Sequence, residues 1–224
     1  MSHLSPEAGV VLARAASTVG RCQPPRVRAS RRRVPAVTRY LIVSATRAEA
    51  AYVPEGLPLV ITGVGKTAAA TAVTRALMEI ERDDLMVLNI GTAGALRPER
   101  EGLFVPGRVI NHDISAAALR AFDYDPREEL AVGDGGLATD DSVLASGDTF
   151  VADPLVRDQL AERADLVDME GYAVAYACDA LGVPVHLIKH VSDSADADAM
   201  DWPDLVDASA QVLGAYLADL VAQS

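Results

Sequence analysis

Residues 167–196 run VDMEGYAVAYACDALGVPVHLIKHVSDSAD. Val167-Asp168-Met169-Glu170 reads as an acidic strand end and Gly171 to Leu181 as a helix of small residues. Gly182 and Pro184 mark a turn, and Val185 to Val191 a buried strand. Ser192 and Asp193 stand at that strand's mouth. In α/β sheets, ligands sit outside the carboxyl ends of the strands, which brings Glu170 and Asp193 to one pocket. Two carboxylates so placed suit cleavage of a bond between a sugar and its leaving group. One steadies positive charge on the sugar, and the other hands a proton to the departing group. Taken singly, Asp-x-Glu before a helix is an ordinary dipole partner and Ser-Asp after a strand an ordinary turn. Their company with the motifs elsewhere in the chain favours a site.

Working outward, strands and helices alternate. Tyr40 to Ala45 is a first buried strand, running into Thr46-Arg-Ala-Glu49. Leu57 to Thr62 is a second, closing on Gly63-Val-Gly65-Lys66 and followed by an Ala/Thr-rich helix from Thr67 to Glu81. Leu85 to Ile90 is a third strand, ending in a second glycine turn, Gly91-Thr-Ala-Gly94. Further strands are expected at Arg108–Asn111 and Val143–Ser146, a helix near Pro154–Arg163, and an amphipathic closing helix over Leu205–Val221. This alternation, with Gly or a small polar residue after nearly every strand, predicts a single α/β domain over residues 40–224. Its central sheet is mainly parallel and flanked by helices.

Residues 1–39 differ. They hold eight Arg against one acid, Glu7, with Pro and no hydrophobic periodicity, which predicts a disordered tail. Its Arg-rich, acid-poor composition matches an organelle transit peptide, and equally an upstream start with the natural chain beginning near Val37. The remainder carries 12 Lys and Arg against 31 Asp and Glu, a net −19. Such a surface repels phosphate backbones and anionic lipid, so neither nucleic acid nor membrane is an expected partner, and a multi-phosphate substrate fits badly. No uninterrupted apolar run approaches the roughly 18 residues of a membrane span. Cys22 and Cys178 show no metal-ligand spacing and fit a reducing, cytoplasmic setting.

Several chemistries find no support. Gly63-x-Gly65-Lys66 lacks the spacer and Gly-Lys-Ser/Thr end of a phosphate-binding P-loop, and the third Gly of a dinucleotide fingerprint. His186 and His190 lie four apart on a strand and His112 precedes Asp113, so no metal site is expected. There is no Gly-x-Ser-x-Gly elbow for acyl transfer.

In order along the chain, Ser44-Ala-Thr-Arg-Ala-Glu49, Thr62-Gly-Val-Gly-Lys66, Asn89-Ile-Gly-Thr-Ala-Gly94, Ser146-Gly-Asp-Thr-Phe150, Asp168-Met-Glu170 and Val191-Ser-Asp193 resemble the motifs of the nucleoside phosphorylase/nucleosidase superfamily. The likeness is greatest to the 5′-methylthioadenosine/S-adenosylhomocysteine nucleosidases and spans roughly residues 40–222. It implies hydrolysis of the N-glycosidic bond of a purine nucleoside, without cofactor or metal, by a homodimer. Glu49 would activate water, Glu170 would hold the ribose hydroxyls, and Asp193, oriented by Ser192, would protonate the purine. Met169 would pack on the sugar, Phe150 stack on the base and the Val151 backbone read its edge. Gly65, Gly91, Thr92 and Ala93 would let backbone approach the ligand.

The resemblance leaves alternatives open: a futalosine-type nucleosidase, a purine nucleoside phosphorylase, or a nucleoside-binding module without turnover. Phosphorylases carry an Arg where Asn89 stands, which favours water, and intact Glu49, Glu170 and Asp193 favour turnover. The chain departs from the family pattern in having only 12 residues between Glu49 and Thr62 and an abbreviated segment from His112 to Val143. Trp202, near the start of the closing helix, would either cover the 5′ side, as an aromatic does in relatives, or pack under a loop as a surface aromatic.

Overall fold

The computed structural model describes residues 39–195 and 202–223. The Arg-rich stretch 1–38 and the side chain of Trp202 lie outside the described residues. The chain opens with β1 (Arg39–Ser44), β2 (Leu59–Ile61), α1 (Lys66–Glu79) and β3 (Leu85–Ala95). It continues through β4 (Leu103–Phe104), β5 (Pro106–Asn111), α2 (Ala116–Ala121), β6 (Glu129–Ala131) and β7 (Asp140–Ser146). It closes with α3 (Pro154–Ala161), β8 (Leu166–Asp168), α4 (Gly171–Leu181), β9 (Val185–Asp193) and α5 (Trp202–Ala222).

β3 is the spine of the sheet. Its run LMVLNI is buried along its whole length, as a strand covered on both faces must be. It pairs in parallel with β1 on one side (Val43 opposite Asn89) and with β9 on the other (Asn89 opposite Leu187). Between Ala93 and Gly94 the register with β9 shifts, and Gly94 and Ala95 pair antiparallel with β8. From there β8, β7 and β5 continue in parallel, with β6 an antiparallel edge. The sheet among the described residues thus runs β2-β1-β3-β8-β7-β5-β6, with β9 on β3 and β4 on β9.

The mainly parallel sheet agrees with the sequence, but the second glycine turn does not. Gly91 to Gly94 are strand, because the ladder to β9 persists through them.

Alternation along the strands divides the interior. Leu41, Val43, Leu85, Val87, Val185 and Leu187 face α1 and α4. Their neighbours Ile42, Met86, Leu88 and Ile188 face α5. This is the period of two that a strand dictates. α1 presents Ala69, Val73 and Leu77, four residues apart on one stripe. α4 is buried nearly all round, so its residues must be small: a Cβ on Gly171 would stand 2.6 Å from Leu144 Cδ2. The helix stops at Gly182, whose φ of 69° is the left-handed conformation that closes helix ends, with Val183 N–H returning to the Cys178 carbonyl.

α5 buries Val206, Ala210, Leu213 and Leu217 against the sheet. Over Leu205–Ala222 it is long and apolar enough to cross a membrane by composition, at mean hydropathy 1.3. The expectation from unbroken apolar runs overlooked this, since Asp207 and Asp219 interrupt the run without greatly lowering its average. The segment between His112 and Val143 holds α2 and β6. Both are too short to leave a periodic signal, and so is the two-residue β4.

His186, on β9, is 0% exposed and neither of its ring nitrogens has a hydrogen-bond partner. Burial pushes its pKa below the ordinary 6.5, against the weaker opposite pull of Asp134. The unfolded chain therefore binds a proton more readily, and stability falls as pH drops below about 6.5. We expect His186→Leu to lose less melting temperature between pH 8 and pH 5.5 than the parent. An equal or larger loss in the variant would remove His186 from the acid sensitivity.

Candidate active site

Four chain segments, at the carboxyl ends of β1, β7, β8 and β9, converge around the end of β3. The first is the turn after β1. Thr46 and Glu49 form a reciprocal capping box, with the Glu49 amide donating to Thr46 Oγ1 at 3.2 Å. The Thr46 amide and hydroxyl donate back to Glu49 Oε2 at 3.1 and 3.0 Å. The other carboxylate oxygen, Oε1, accepts from the Thr92 amide (2.8 Å) and hydroxyl (3.0 Å). Glu49 is only 5% exposed, and it lies directly over β3. A Cβ on Gly91 would stand 3.0 Å from its Oε1, which is why that position is bare.

The second segment is the end of β8. Glu170 caps α4, and its Oε1 accepts from the Gly65 amide at 2.7 Å. Gly65 takes φ +95°, a backbone that presents this N–H and that side chains resist. Burial, then the neighbouring Asp168, push the Glu170 carboxyl up to about 7, against the opposing pull of the Gly65 amide and Lys189.

Asp168 itself is a hub. Its Oδ1 accepts from the Ser146 hydroxyl, and its Oδ2 from the Gly171 amide and Lys189 Nζ, both at 2.9 Å. Lys189 is 1% exposed. A Cβ on Gly91 would meet its Nζ at 3.4 Å, so this cation lies beside the Glu49 carboxylate under the floor of the site.

The third segment is the end of β9. Asp193 is its last residue, with Oδ2 accepting from the Ser192 hydroxyl (2.7 Å) and Oδ1 from the Ala195 amide (2.9 Å). A Cβ on Gly94 would stand 3.0 Å from Asp193 Oδ1. The two bare positions on β3, three residues apart, therefore seat Glu49 and Asp193 with roughly 10 Å of strand between them. The fourth segment, after β7, contributes Thr149, half-exposed Phe150 and buried Val151.

These groups enclose one cavity of about 200 Å³. Glu49, Glu170 and Asp193 all line it, as do Phe150, Val151, Met169, Ser192, Thr92 and Ala93. Gly65 and Gly91 do not: one donates its amide to Glu170, and the other makes room for Glu49. Asn89 also lies away from the cavity. It is buried in the sheet, donating its amide to the Val43 carbonyl at 3.2 Å, so its identity says little about phosphate. The lining residues themselves say more. Among the described residues they comprise four carboxylates and neither Lys nor Arg.

Thr46, Val64, Thr149 and Lys189 were missed by sequence reasoning. Only Lys189 left a usable signal: a Lys inside the apolar strand HLIKHV must be paired, because such side chains are almost never buried alone. His186 is sealed in the core, and His190 shares a hydrogen bond with Ser209 at 2.9 Å.

With this geometry in hand, known proteins can be compared. The chain is similar to the aminodeoxyfutalosine nucleosidase of Helicobacter pylori, at 29% identity over 60% of this chain and 67% of the relative. It is similar to the 5′-methylthioadenosine/S-adenosylhomocysteine nucleosidase of Geobacillus kaustophilus at 30% identity, over 63% of this chain and 68% of the relative. In fold it matches the Neisseria meningitidis 5′-methylthioadenosine/S-adenosylhomocysteine nucleosidase solved with methylthio-immucillin-A. The TM-score is 0.71 at 21% identity, covering 83% of this chain and 99% of that one. The model of the phosphorylase superfamily matches residues 54–223, and the chain belongs to that superfamily.

Proposed function

We propose that the chain hydrolyses the N-glycosidic bond of a purine nucleoside, 5′-methylthioadenosine or S-adenosylhomocysteine, and releases adenine. The observation that carries this is the convergence of Glu49, Glu170 and Asp193 on one cavity that, among the described residues, is lined by no Lys or Arg. Glu49 takes a proton from water as its oxygen attacks C1′. The bond from C1′ to the purine breaks with its electron pair leaving on the base, and Asp193 delivers a proton to ring nitrogen N7. Glu170 accepts hydrogen bonds from the ribose hydroxyls, and its charge favours the cationic sugar of the transition state. Ser192 holds Asp193 in place, Phe150 stacks on the base, the Val151 backbone meets its edge, and Met169 packs on the sugar.

Water and nucleoside balance to purine and free sugar, so the reaction requires no cofactor. A phosphate dianion would face four carboxylates with no lining cation, so water is the favoured nucleophile. The likeness to an aminodeoxyfutalosine nucleosidase supports a second reading of the 5′ group, with the same chemistry at the sugar. Val64 and Phe150, both exposed at the cavity, are the surface that a second copy of the chain would cover.

The test is adenine release from methylthioadenosine, adenosylhomocysteine, aminofutalosine and adenosine, with and without phosphate. Release without phosphate is expected, and strict dependence on phosphate would overturn hydrolysis. Asp193→Asn should lower kcat at least about 100-fold with nucleoside binding largely kept. Near-normal turnover would take Asp193 out of the chemistry.

Glu170 provides a test that reads stability. Its carboxyl sits at about 7 in the folded chain against an ordinary 4.5. Its stabilising contribution is therefore complete below about pH 4.5 and lost as pH rises through 7, a cost of a few kcal/mol at pH 8. Glu170→Gln should abolish turnover yet melt above the parent at pH 8, with the gap closing toward pH 5. A variant that melts lower at pH 8 would contradict the strained carboxylate.

A further inference from the structure

Lys66 opens α1, a poor place for a cation, since the helix dipole puts positive charge there and the first turn holds no acid to offset it. The sequence noticed Lys66 only as the end of a glycine motif, and the mechanism above does not use it. Its surroundings explain its presence. Lys66 Nζ donates to Asn111 Oδ1 at 2.7 Å and to Asp113 Oδ1, and lies 4.0 Å from Asp148 Oδ2. Its backbone amide donates to Asp148 Oδ1 at 2.7 Å, and the Asp148 amide donates to Asp113 Oδ2 at 2.8 Å. One residue earlier, the Gly65 amide holds Glu170.

The N-terminus of α1 is therefore capped from outside, by Glu170 from the end of β8 and by Asp148 from the loop after β7. Two residues beyond Asp148 is Phe150. The Lys66 side chain ties this loop to the one after β5 and neutralises Asp113, whose pKa is lowered chiefly by its hydrogen bond to Lys66, against the effect of burial. The knot is largely sheltered, with the Lys66 side chain 17% exposed and that of Asp113 25%.

We propose that Lys66 is a positioning residue that sets the base-stacking loop, 148–150, in register with the ribose carboxylate Glu170. It rests on the functional reading for what Phe150 and Glu170 hold. It adds that the two halves of the nucleoside are aligned by one helix terminus and one cation that touch neither. Loss of that cation leaves Asp113 and Asp148 facing each other unneutralised, and like charges at that range separate. The loop bearing Phe150 then moves while Glu49 and Asp193, anchored on β3 and β9, stay in place.

The experiment is Lys66→Met, which keeps length and volume and removes the charge. Free adenine affinity is measured by calorimetry, and kcat and KM on the nucleoside that the parent turns over. Adenine affinity is expected to weaken about tenfold and KM to rise by a similar factor, the scale of a charge-assisted hydrogen bond lost at a partly exposed site, with kcat within about threefold. Lys66→Arg should recover most of the loss. Unchanged adenine affinity and KM would overturn the proposal, and so would a fall in kcat at constant KM.

If Lys66→Met does not fold, Lys66→Gln decides by the same readouts, since it keeps a hydrogen-bond donor at that position and removes the charge. A parent that binds adenine but turns over no nucleoside would count against the functional reading alone, because the adenine comparison still tests Lys66.

Discussion

Everything at the carboxyl edge of this sheet depends on one problem of charge. Glu49, Asp168, Glu170 and Asp193 line a single cavity, and the first three are less than a tenth exposed. Carboxylates gathered in low dielectric repel one another and lose their hydration, at a cost of several kcal/mol each when unpaired. The fold meets that cost from three sources. Lys189 lies under the floor, paired with Asp168 and beside Glu49. The starts of α1 and α4 both point at the site, giving amides to Glu170, Asp168 and Asp148. Threonine and serine hydroxyls serve what remains. Cutting the buried Lys189–Asp168 pair would strand a charge at about 3–5 kcal/mol, and with it the end of β7 and the start of α4, which Asp168 joins.

The glycines follow from the same problem. Placing two acids against a continuous strand demands strand positions without side chains, and β3 supplies them at Gly91 and Gly94. Gly65 is bare for another reason, its positive φ, which aims an amide at Glu170. Three glycines that look alike in sequence thus do two different jobs. The ladder to β9 runs through Gly91 to Ala93 and shifts register before Gly94.

This distinction explains what could be read in the sequence and what could not. Buried strands announce themselves by unbroken apolar runs, so β1, β3 and β9 were legible within a few residues, and α4 was legible at both ends because Gly171 and Gly182 bracket it. Acids at strand ends were legible too, since strand ends in a parallel sheet share one edge. A glycine-rich segment, however, carries no side-chain signal to separate a turn from a strand making room, and Gly91–Gly94 was misjudged accordingly. Nor does a glycine's identity show that Gly65 meets Glu170 and Gly91 makes room for Glu49. Lys189 was overlooked beside two more conspicuous histidines, although a lone cation in an apolar strand is the stronger clue. The knot at Lys66 joins three loops distant in sequence, and no local pattern encodes it.

The charge arrangement also limits what the site can accept. Burial and Asp168 hold the Glu170 carboxyl at about 7, so at neutral pH it is only partly ionised. On the proposed function, a neutral nucleoside that donates two hydroxyl hydrogens to Glu170 would favour the ionised form and fix the charge where the sugar becomes positive. The same pocket disfavours any ligand that brings its own negative charge, because Lys189 is engaged with Asp168 and does not line the cavity. A phosphorylated sugar or a free phosphate would need that pair broken before it found a partner, and the repulsion of four acids would add to the loss. Discrimination between water and phosphate therefore need not come from any single residue such as Asn89. It follows from an acidic cavity whose described lining residues include no cation, with Lys189 committed to Asp168.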